Sequence, residues 1–346
     1  MTGFDTGATL AERMRRHAGD STHLYGHLMR AMADDWDAGG VVAQICSGHE
    51  DAPPGSVLQL RLLGGLFRIV LTGRAPELVP YYPCLGGGAP PSQTWPHVRP
   101  VLAAHVQELR RALLVAPQTN EPGRATALLV GLFDVVRATG LTQVRLLEPG
   151  ASAGLNLLVD RFRFENADWS YGPRDSPLVL RDGVVGAVRP TDFTVVDRRG
   201  CDLAPVDPTS DTGQLLLRSF VWPFHVDRYQ RLANAFEVVA NRPTVVDTGS
   251  AGEWLEQQFG AQPRDDVLTV VWHSIAQLYW QADEVRWVRT AIAHAAASGP
   301  VARVTMEYPD GGELAEVAVS TSDHGVMTTP RTIATANAHG QPVTMT

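Results

Sequence analysis

The hydrophobic pattern of this chain changes its period near Gly140, and this change limits the folds that the 346 residues can adopt. Before Gly140, apolar residues recur three and four positions apart, as they do from Leu24 to Trp36, and this spacing predicts helices. After it, short apolar runs alternate with helical patterns, which is typical of a parallel sheet with helices on both faces. The sequence therefore predicts an all-helical N-terminal domain over residues 1–140 and an α/β domain over residues 141–346.

Both domains can be outlined from these patterns. Helices are predicted around 24–36 (with Ser21 or Thr22 as the cap), 58–67, 98–114 and 127–136. Strands are predicted at Val144–Glu148, Phe193–Val196, Thr244–Val246, Val267–Trp272 and Val301–Met306. Residues 162–190 are predicted to be an insertion, and the β-like runs at 316–320, 332–335 and 342–345 predict an antiparallel C-terminal edge of the sheet.

Composition excludes several classes of function. The net charge of −8 argues against a general nucleic-acid binder, which would carry a clustered basic excess. All 29 Lys and Arg residues are arginines, which excludes Schiff-base chemistry, lysine bases and the phosphate loop with its lysine. We therefore expect a small-molecule substrate and no nucleic-acid partner. An oligomeric state is possible.

Cysteine usage and hydropathy bear on the compartment. Cys46, Cys84 and Cys201 are scattered and odd in number, which fits a reducing cytoplasm and argues against a thiolate zinc site. The apolar stretch Val57–Leu71 is interrupted by two arginines, and it is shorter than the roughly 20 apolar residues that span a bilayer. We expect a cytoplasmic protein without a metal site, a signal peptide or a membrane partner.

The strongest chemical signal is the run Glu148-Pro149-Gly150-Ala151-Ser152-Ala153-Gly154, between a predicted strand and a helix predicted to begin at Leu155. Small residues there let a ligand approach the backbone, and the N–H groups of the next helix can bind an anion such as a carboxylate. The run is similar to the first motif of S-adenosylmethionine-dependent methyltransferases, although Ser152 stands where glycine is commoner. An ordinary tight turn is the alternative interpretation.

The same residues also match G-x-S-x-G, the nucleophile elbow of α/β-hydrolases. In that case Ser152 would be the nucleophile, with Asp247 and His324 as candidate partners. An elbow follows several strands and an upstream oxyanion-hole loop, whereas the residues before this run are predicted to be helical. A serine hydrolase therefore stays as the alternative function.

Polar residues end the later predicted strands as well. Asp202 follows the second strand and a predicted turn at 198–201, and it could accept hydrogen bonds from ribose hydroxyls. Asp247 ends the third strand, where it could meet an adenine amine. His273 and Ser274 end the fourth, where substrate and methyl group would meet, and His273 is the best-placed catalytic base. Because the carboxyl ends of parallel strands line one crevice, we expect these residues to converge.

Five separated motifs carry a resemblance that covers nearly the whole chain. They are Gln118-Thr119-Asn120-Glu121-x-Gly123-Arg124, Leu147-Glu148-x-Gly150-Ala151-Ser152-Ala153-Gly154-Leu155-Asn156-Leu157, Arg199-Gly200-x-Asp202-Leu203, Val221-Trp222-Pro223 and Trp272-His273-Ser274. Together they resemble the bacterial domain-of-unknown-function family numbered 2332, which in turn resembles class I methyltransferases preceded by a helical domain. The resemblance implies a Rossmann-like methyltransferase sheet with S-adenosylmethionine as cofactor, and it leaves the reaction open.

The resemblance also implies site residues. Contacts to S-adenosylmethionine are expected from Glu148, Gly150, Ala151, Ser152, Gly154, Asn156, Asp202, Leu203, Asp247, Ser274 and Arg124. Contacts to the substrate are expected from Tyr81, Tyr82, Asn120 and Glu121, with the N-terminal helices as a lid. A bidentate contact from Arg124 to a carboxylate is the version that we favour. The alternatives are a helix cap within 119–124 and two loop tyrosines that are simply part-buried.

The first hypothesis is thus a methyltransferase that acts on a small-molecule acceptor. Methyl transfer from a sulfonium needs mainly in-line placement of the acceptor and the methyl group, so proximity supplies most of the rate. The serine hydrolase with the Gly150–Gly154 turn is one alternative. A protein that binds S-adenosylmethionine or a nucleotide without catalysis is the other.

Overall fold

The computed structural model describes residues 8–260 and 264–346, which form a mixed α/β protein with a large, mostly parallel sheet. The helices are α1 (Leu10–Ala18), α2 (Leu24–Asp37), α3 (Val41–Cys46), α4 (Leu58–Leu71), α5 (Trp95–Ala104), α6 (Val106–Ala112), α7 (Ala125–Thr139), α8 (Asp211–Ser219), α9 (Val226–Asn241), α10 (Ala251–Phe259) and α11 (Ala282–Ala296). The strands are β1 (Gln143–Pro149), β2 (Arg163–Glu165), β3 (Ser170–Tyr171), β4 (Val179–Arg181), β5 (Val184–Val185), β6 (Thr194–Asp202), β7 (Val246–Thr248), β8 (Val267–Ser274), β9 (Val301–Glu307), β10 (Ala315–Asp323), β11 (Val326–Met327), β12 (Arg331–Ala336) and β13 (Val343–Met345). Among the described residues, no helix combines the length and the apolar character that crossing a membrane requires.

The chain divides into two compact units, which differ from the expected division at residue 140. Among the described residues, the sheet unit consists of residues 120–209, 231–260 and 264–346, and the helical unit consists of residues 8–119 together with residues 210–230. Helix α7, predicted with the N-terminal helices, therefore belongs to the sheet unit. Residues 210–230, predicted in the α/β part, belong to the helical unit.

One large sheet runs through the sheet unit in the order β5-β13-β12-β10-β9-β8-β1-β6-β7, with β11 paired to β10. Strand β1 pairs in parallel with β6 on one side and with β8 on the other, and β7 and β9 extend the parallel pairing outward. The strand order therefore reverses at β1. Strands β9, β10, β12 and β13 pair antiparallel with their neighbours in this series, which confirms the predicted antiparallel character of the C-terminal part.

Helices cover both faces of the parallel strands because both faces are apolar. Successive strand residues point to opposite faces, and the neighbours Leu146 and Leu147 of β1 are both fully buried. Leu147 belongs to an apolar cluster with residues of α10 and α11. On the other face α7 approaches β9 closely at Gly131, where any Cβ would overlap Val304. This contact is the physical reason why α7 belongs with the sheet.

The segment between β6 and β7 joins the helical unit through aromatic contacts. The Trp222 ring lies 5.6 Å from the His23 ring, which stacks on Phe224 with centroids 4.0 Å apart. The backbone N–H of Cys84 donates a hydrogen bond to the Pro223 carbonyl at 2.9 Å. These contacts explain why residues 210–230 pack with the helices of this unit.

Two predictions in the helical unit were wrong in detail. The cap of α2 is neither Ser21 nor Thr22 but His23, whose Nδ1 accepts a hydrogen bond from the Gly26 N–H at 3.0 Å. An imidazole nitrogen can cap a helix because it offers a lone pair to an N–H group that lacks an intrahelical partner. The helix predicted over 98–114 is interrupted at His105, which separates α5 from α6.

Two predictions near the candidate site also differ from the structure. The turn predicted at 198–201 lies inside β6, because these residues continue the parallel pairing with β1. The helix predicted from Leu155 is only a 3₁₀ segment, Asn156–Arg161, with a non-helical Leu158. It ends there because the chain enters β2 at Arg163.

The predicted insertion at 162–190 forms structure of its own. Strands β2, β3 and β4 make a separate three-stranded sheet in the order β3-β2-β4. Strand β5 pairs in parallel with β13 at the outer edge of the large sheet. The insertion therefore extends the sheet on the side of its C-terminal strands.

Replacing Gly131 by alanine is expected to lower the free energy of unfolding by about 2 kcal/mol, because the added methyl group would overlap Val304. The variant Val304→Ala opens the space that this methyl group needs. The double variant is therefore expected to lose less stability than the two single variants together. Denaturant unfolding followed by circular dichroism measures all three losses. Gly88→Ala is the control, since a Cβ there meets nothing within 4 Å, and strictly additive losses would contradict the packing argument.

Candidate functional site

The parallel strands bring most of the predicted site residues to one edge of the sheet, which we call the carboxyl edge. Glu148 lies at the end of β1, Asp202 at the end of β6, and His273 and Ser274 at the end of β8. Asp247 is the middle residue of the short strand β7. Since these strands are neighbours in the order β8-β1-β6-β7, their polar ends lie side by side.

The turn after β1 bends the chain through three residues in the left-handed region, Gly150 (φ +77°), Ser152 (φ +54°) and Gly154 (φ +70°). Glycine adopts this conformation freely, whereas a residue with a Cβ pays about 1–2 kcal/mol. The N–H groups of Gly150 and Ala151 both donate to the Cys201 carbonyl, at 2.8 and 2.9 Å. Two hydrogen bonds therefore anchor the turn to β6. Ser152 is its strained residue, and non-glycine residues in this backbone conformation cluster at functional sites.

Asp202 holds the middle of this turn. Its Oδ2 accepts a hydrogen bond from the Ser152 N–H at 2.9 Å, and its Oδ1 accepts one from the Ala204 N–H at 3.0 Å. A carboxylate oxygen can accept more than one hydrogen bond, so the predicted contact to ribose hydroxyls is compatible with this geometry. The adjacent Leu203 is 77% exposed and presents an apolar surface at the same edge.

The Glu148 side chain is buried at the start of the turn, with 2% of the residue exposed. Its Oε1 accepts a hydrogen bond from the Trp272 indole N–H at 3.1 Å. Burial raises the pKa of Glu148 to about 8, and the Trp272 bond and the positive charge of Arg124 oppose the rise only in part. The carboxyl group therefore keeps its proton at neutral pH until something positive pairs with it.

Both ring nitrogens of His273 have partners on the neighbouring strand β9. Nδ1 lies 2.6 Å from Glu307 Oε1, and Nε2 lies 2.9 Å from Arg303 Nη2. A guanidinium only donates, so Nε2 accepts and Nδ1 carries the proton that Glu307 accepts. The ring is fully buried, and burial lowers its pKa. The predicted base role would require Nε2 to leave Arg303, so this geometry favours a structural role.

The carboxylate of Asp247 is also engaged by the protein. Arg199 on β6 donates from Nε at 2.7 Å and from Nη2 at 2.9 Å, and the Trp254 indole donates at 2.8 Å. The hydrogen bond from Arg199 holds the pKa of Asp247 below its ordinary value. The predicted contact to an adenine amine would therefore have to share this carboxylate with the ion pair.

Asn120 and Glu121, predicted as substrate-binding residues of a lid, lie in the sheet unit and are buried there. Asn120 Oδ1 accepts a hydrogen bond from the Leu155 N–H at 2.8 Å, at the end of the turn. Glu121 forms an ion pair with Arg231 at 2.8 Å and also accepts the Gly123 N–H at 3.0 Å. Glu121 thus caps the 3₁₀ segment that follows it, close to the helix-cap alternative.

Arg124 is buried at the start of α7, with 9% of the residue exposed. Its Nη1 donates to the Ser274 carbonyl at 3.3 Å, and its Nε donates to the Ala338 carbonyl at 3.0 Å. Its positive charge favours the ionised form of Glu148 and opposes the larger effect of burial on the pKa of that group. Arg124 therefore joins the end of β8 to the C-terminal part of the chain and supplies a positive charge that acts on Glu148.

Two buried side-chain oxygens at the two ends of the turn have no hydrogen-bond partner among the described residues. They are Glu148 Oε2 and Asn156 Oδ1, and Asn156 is 1% exposed. A buried polar atom without a partner costs about 1–3 kcal/mol, so native proteins rarely retain one without a reason. An ammonium group would pair with Glu148 Oε2 once the carboxyl group has lost its proton, and an ammonium or hydroxyl group would donate to Asn156 Oδ1.

Tyr81 and Tyr82 lie in the helical unit. Tyr82 is fully buried, stacks on Phe67 with ring centroids 4.8 Å apart, and has a hydroxyl group without a partner among the described residues. Tyr81 is 8% exposed, and its ring lies 5.5 Å from that of His97. Both are core residues of their unit, and their contact with a substrate stays a prediction.

The triad of the alternative hydrolase does not assemble. Ser152 lies at the carboxyl edge, whereas His324 follows β10, which runs antiparallel to β9 and ends at the opposite edge of the sheet. The His324 side chain is 97% exposed. The third member, Asp247, is paired with Arg199 instead.

A cavity of about 560 Å³ lies at the opposite, amino edge of the sheet, beside the first residues of β8 and β9. Two of its arginines are already paired, Arg145 with Asp197 at 3.1 Å and Arg264 with Asp266 at 2.8 Å. Ligands of open α/β sheets bind outside the carboxyl ends of the strands, where the strand order reverses. We therefore place the candidate site around the turn 148–154 rather than at this cavity.

Sequence reasoning missed Glu307, which holds the ring of His273. Glu307 is the last residue of β9 and follows directly after the predicted strand Val301–Met306. The rule that selected His273, a polar residue at the end of a predicted strand, would have selected Glu307 as well. Its partners, in contrast, depend on the register between β8 and β9.

Comparison with known proteins gives a family without an assigned activity. The profile of the family described as "Uncharacterized protein conserved in bacteria (DUF2332)" matches residues 8–345. No curated protein and no solved structure matches the chain. The match covers both units, so the helical and the sheet residues belong to one family pattern.

The free energy of unfolding is expected to depend on pH through Glu148. Its pKa is about 8 in the folded protein and ordinarily 4.5, so between these values the folded protein keeps a proton that the unfolded chain loses. Stability should therefore fall as pH rises through this window, by at most about 1.4 kcal/mol per pH unit. The variant Glu148→Gln cannot ionise, so its stability relative to the native protein should increase from about pH 5 to about pH 8.

Denaturant unfolding at several pH values measures this difference. The matched control is Glu313→Gln, because Glu313 is exposed and its replacement should leave the pH dependence unchanged. A constant stability difference between Glu148→Gln and the native protein across the window would contradict the raised pKa.

Proposed function

We propose that this chain, which belongs to the bacterial family DUF2332, is an S-adenosylmethionine-dependent methyltransferase that acts on a small-molecule acceptor. The order of the parallel strands supports the proposal. Numbered along the chain, β7, β6, β1, β8 and β9 read 3-2-1-4-5, which is the order found in doubly wound, Rossmann-like sheets. The turn at Glu148 leaves β1 at the reversal point, where such sheets bind their ligands.

The observation that carries the proposal is the pair of unsatisfied acceptor oxygens, Glu148 Oε2 and Asn156 Oδ1. S-adenosylmethionine offers the complementary groups, since it has an α-ammonium group, ribose hydroxyls and a positive sulfonium. The ammonium group would also supply the positive charge that the buried carboxyl group of Glu148 lacks. Glu148 would then lose its proton when the ligand binds, because an opposite charge favours the ionised form.

The other residues of the carboxyl edge have compatible roles in this proposal. Asp202 would accept hydrogen bonds from the ribose hydroxyls while it holds the Ser152 N–H. The exposed Leu203 would contact the apolar face of the adenine. Arg124 would bind the carboxylate of the cofactor, a group that a guanidinium recognises well.

When bound, the cofactor would supply an electrophilic methyl group on its sulfonium. The acceptor lone pair would form the new bond to this carbon, the carbon–sulfur bond would break to leave a neutral thioether, and the positive charge would pass to the acceptor or leave it as a proton released to water. Both ring nitrogens of His273 are engaged by Glu307 and Arg303. We therefore propose that this chain accelerates the transfer by placement rather than through a histidine base, since alignment alone can supply about 7–11 kcal/mol. An acceptor with a free lone pair at neutral pH fits this arrangement best.

A second candidate, a protein that binds S-adenosylmethionine without turnover, is favoured by the same engaged histidine. The two candidates differ in one measurement. Turnover of S-adenosylmethionine with any member of a broad acceptor panel supports the enzyme, whereas tight binding without turnover supports the binding protein.

We predict that the protein binds S-adenosylmethionine and its demethylated product, S-adenosylhomocysteine, and releases about one proton per ligand near neutral pH. The reason is the carboxyl group of Glu148, whose pKa of about 8 must fall when a cation pairs with it. Affinity should therefore rise with pH up to about 8, by at most about tenfold per unit. Calorimetric titration in buffers of different ionisation enthalpy measures both effects.

Glu148→Gln should lower the affinity about tenfold and remove the pH dependence, whereas the exposed control Glu313→Gln should change neither. Absence of binding by intact, folded native protein would contradict the proposed function.

The variants Ser152→Gly and Ser152→Ala separate the methyltransferase from the hydrolase. Both remove the hydroxyl group, but only glycine relieves the left-handed conformation of residue 152 (φ +54°). The glycine variant should therefore be more stable than the alanine variant by about 1 kcal/mol, measured by thermal unfolding. Because Asp202 binds the backbone N–H of this residue, both variants should keep their affinity for S-adenosylhomocysteine within about threefold. Loss of an ester-hydrolysing activity in both variants would instead support the hydrolase.

A further inference from the structure

We infer that Glu307 is a positioning residue of the candidate site, which holds the turn Ile275–Gln277 after β8 against the turn after β1. Its effect on ligand binding rests on the proposed function. The hydrogen bonds that carry the inference are independent of the proposed function, because they join residues of the sheet unit to each other.

A single oxygen of Glu307 accepts three hydrogen bonds from this region. Oε1 lies 2.6 Å from the His273 Nδ1, 3.1 Å from the Ala276 N–H and 3.3 Å from the Gln277 N–H. A carboxylate is suited to this task, because hydrogen bonds to an ionised acceptor are roughly twice as strong as neutral ones. Glu307 thereby connects the end of β9 with the last residues of β8 and with the turn that follows them.

The turn needs such support because its first residue is strained. Ile275 has φ +49°, and a β-branched residue in the left-handed region is a genuine outlier that persists only where its surroundings enforce it. The Ile275 N–H donates to the Met306 carbonyl at 2.9 Å, and Glu307 takes the next two N–H groups. Strand β9 thus binds three successive N–H groups of the turn.

The Ile275–Gln277 turn also contacts the candidate site. Ala276 is 7% exposed, and a Cβ built on Gly150 would lie only 2.8 Å from the Ala276 Cβ. Ala276 therefore packs directly on the turn that holds Glu148 and Ser152. If the Ile275–Gln277 turn moved, the wall over Gly150 would move with it.

The surrounding charges fit a carboxylate at this position. Arg303 donates to His273 Nε2 at 2.9 Å, and the positive charges of Arg303 and Arg289 both act on this histidine. The second oxygen of Glu307 is buried without a hydrogen-bond partner among the described residues. Oε1 therefore takes all three hydrogen bonds, and the His273 ring links it to the Arg303 guanidinium group.

The experiment compares Glu307→Ala, which removes the acceptor, with Glu307→Gln, whose amide oxygen can still accept the three bonds. Hydrogen exchange of the unliganded protein, resolved at Ala276 and Gln277, tests the positioning. We expect exchange at these two amides to be at least about tenfold faster in Glu307→Ala, and within about threefold of native in Glu307→Gln. Protection of the central strands β1 and β8 should stay unchanged. The control is Glu313→Ala, at an exposed glutamate of the β9–β10 connection.

If Glu307→Ala does not fold, Glu307→Asp replaces it. The shorter side chain keeps the negative charge beside Arg303 but withdraws the acceptor from the turn. The same faster exchange at Ala276 and Gln277 is then expected. A general loss of protection in all strands would reveal a merely structural role and would overturn the inference, as would unchanged exchange at the two amides in a folded variant.

Titration with S-adenosylhomocysteine supplies the second readout. We expect about tenfold weaker binding to the variant without the acceptor and affinity close to native in Glu307→Gln. Native protein that fails to bind would overturn the proposed function, whereas the exchange data would still decide whether Glu307 holds the turn. Equal affinities of native protein and Glu307→Ala, with native protein binding well, would overturn the role of Glu307 in the site.

Discussion

The parallel pairing of β1 with β6 on one side and with β8 on the other is the constraint on which the carboxyl edge depends. Parallel strands place equivalent ends together, so Glu148, Asp202 and His273 become neighbours although they are far apart in the chain. The same pairing orders the turn after β1, because its first two N–H groups reach the Cys201 carbonyl of β6. A sheet with another strand order would scatter these groups.

Two glutamates, Glu148 and Glu307, lie at the carboxyl edge, and the protein surrounds their side chains with different numbers of hydrogen-bond donors. Glu307 offers one oxygen to three donors, and the charges of Arg303 and Arg289 act on His273, one of those donors. Glu148 has one donor, Trp272, and burial raises its pKa to about 8. Glu307 Oε1 therefore meets three donors of the protein, whereas Glu148 Oε1 meets one, and the second oxygen of each group has no hydrogen-bond partner among the described residues. In the proposed function, Glu148 is the group that pairs with a cationic ligand. This contrast, together with the strained Ser152 and Ile275 after adjacent strands, distinguishes this edge from the cavity at the amino edge.

Much of this edge could be predicted from local patterns. The apolar runs predict the positions of β1, β6, β8 and β9. The small residues after Glu148 indicate a tight turn with unusual backbone angles, and Gly150 and Gly154 do adopt left-handed conformations there. The partners of each polar group could not be predicted in this way. The sequence predicts an adenine contact for Asp247 and a catalytic role for His273, whereas Arg199 and Glu307 engage these side chains in the structure. Those pairs depend on the registers of β6 with β7 and of β8 with β9, to which residues 48 and 34 positions apart contribute.

Local hydrophobic patterns are enough to predict where helices give way to strands, which segments form the central strands, and that the chain is a mixed α/β protein. Those properties follow from burial of one side or both sides of a short segment, so a window of a few residues contains the information. Three further properties are visible only in the folded chain: α7 packs on the sheet, residues 210–230 pack with the helices of their unit, and particular donors meet each carboxylate. The reason is that a contact between distant segments depends on strand order and register, which no local hydrophobic period encodes.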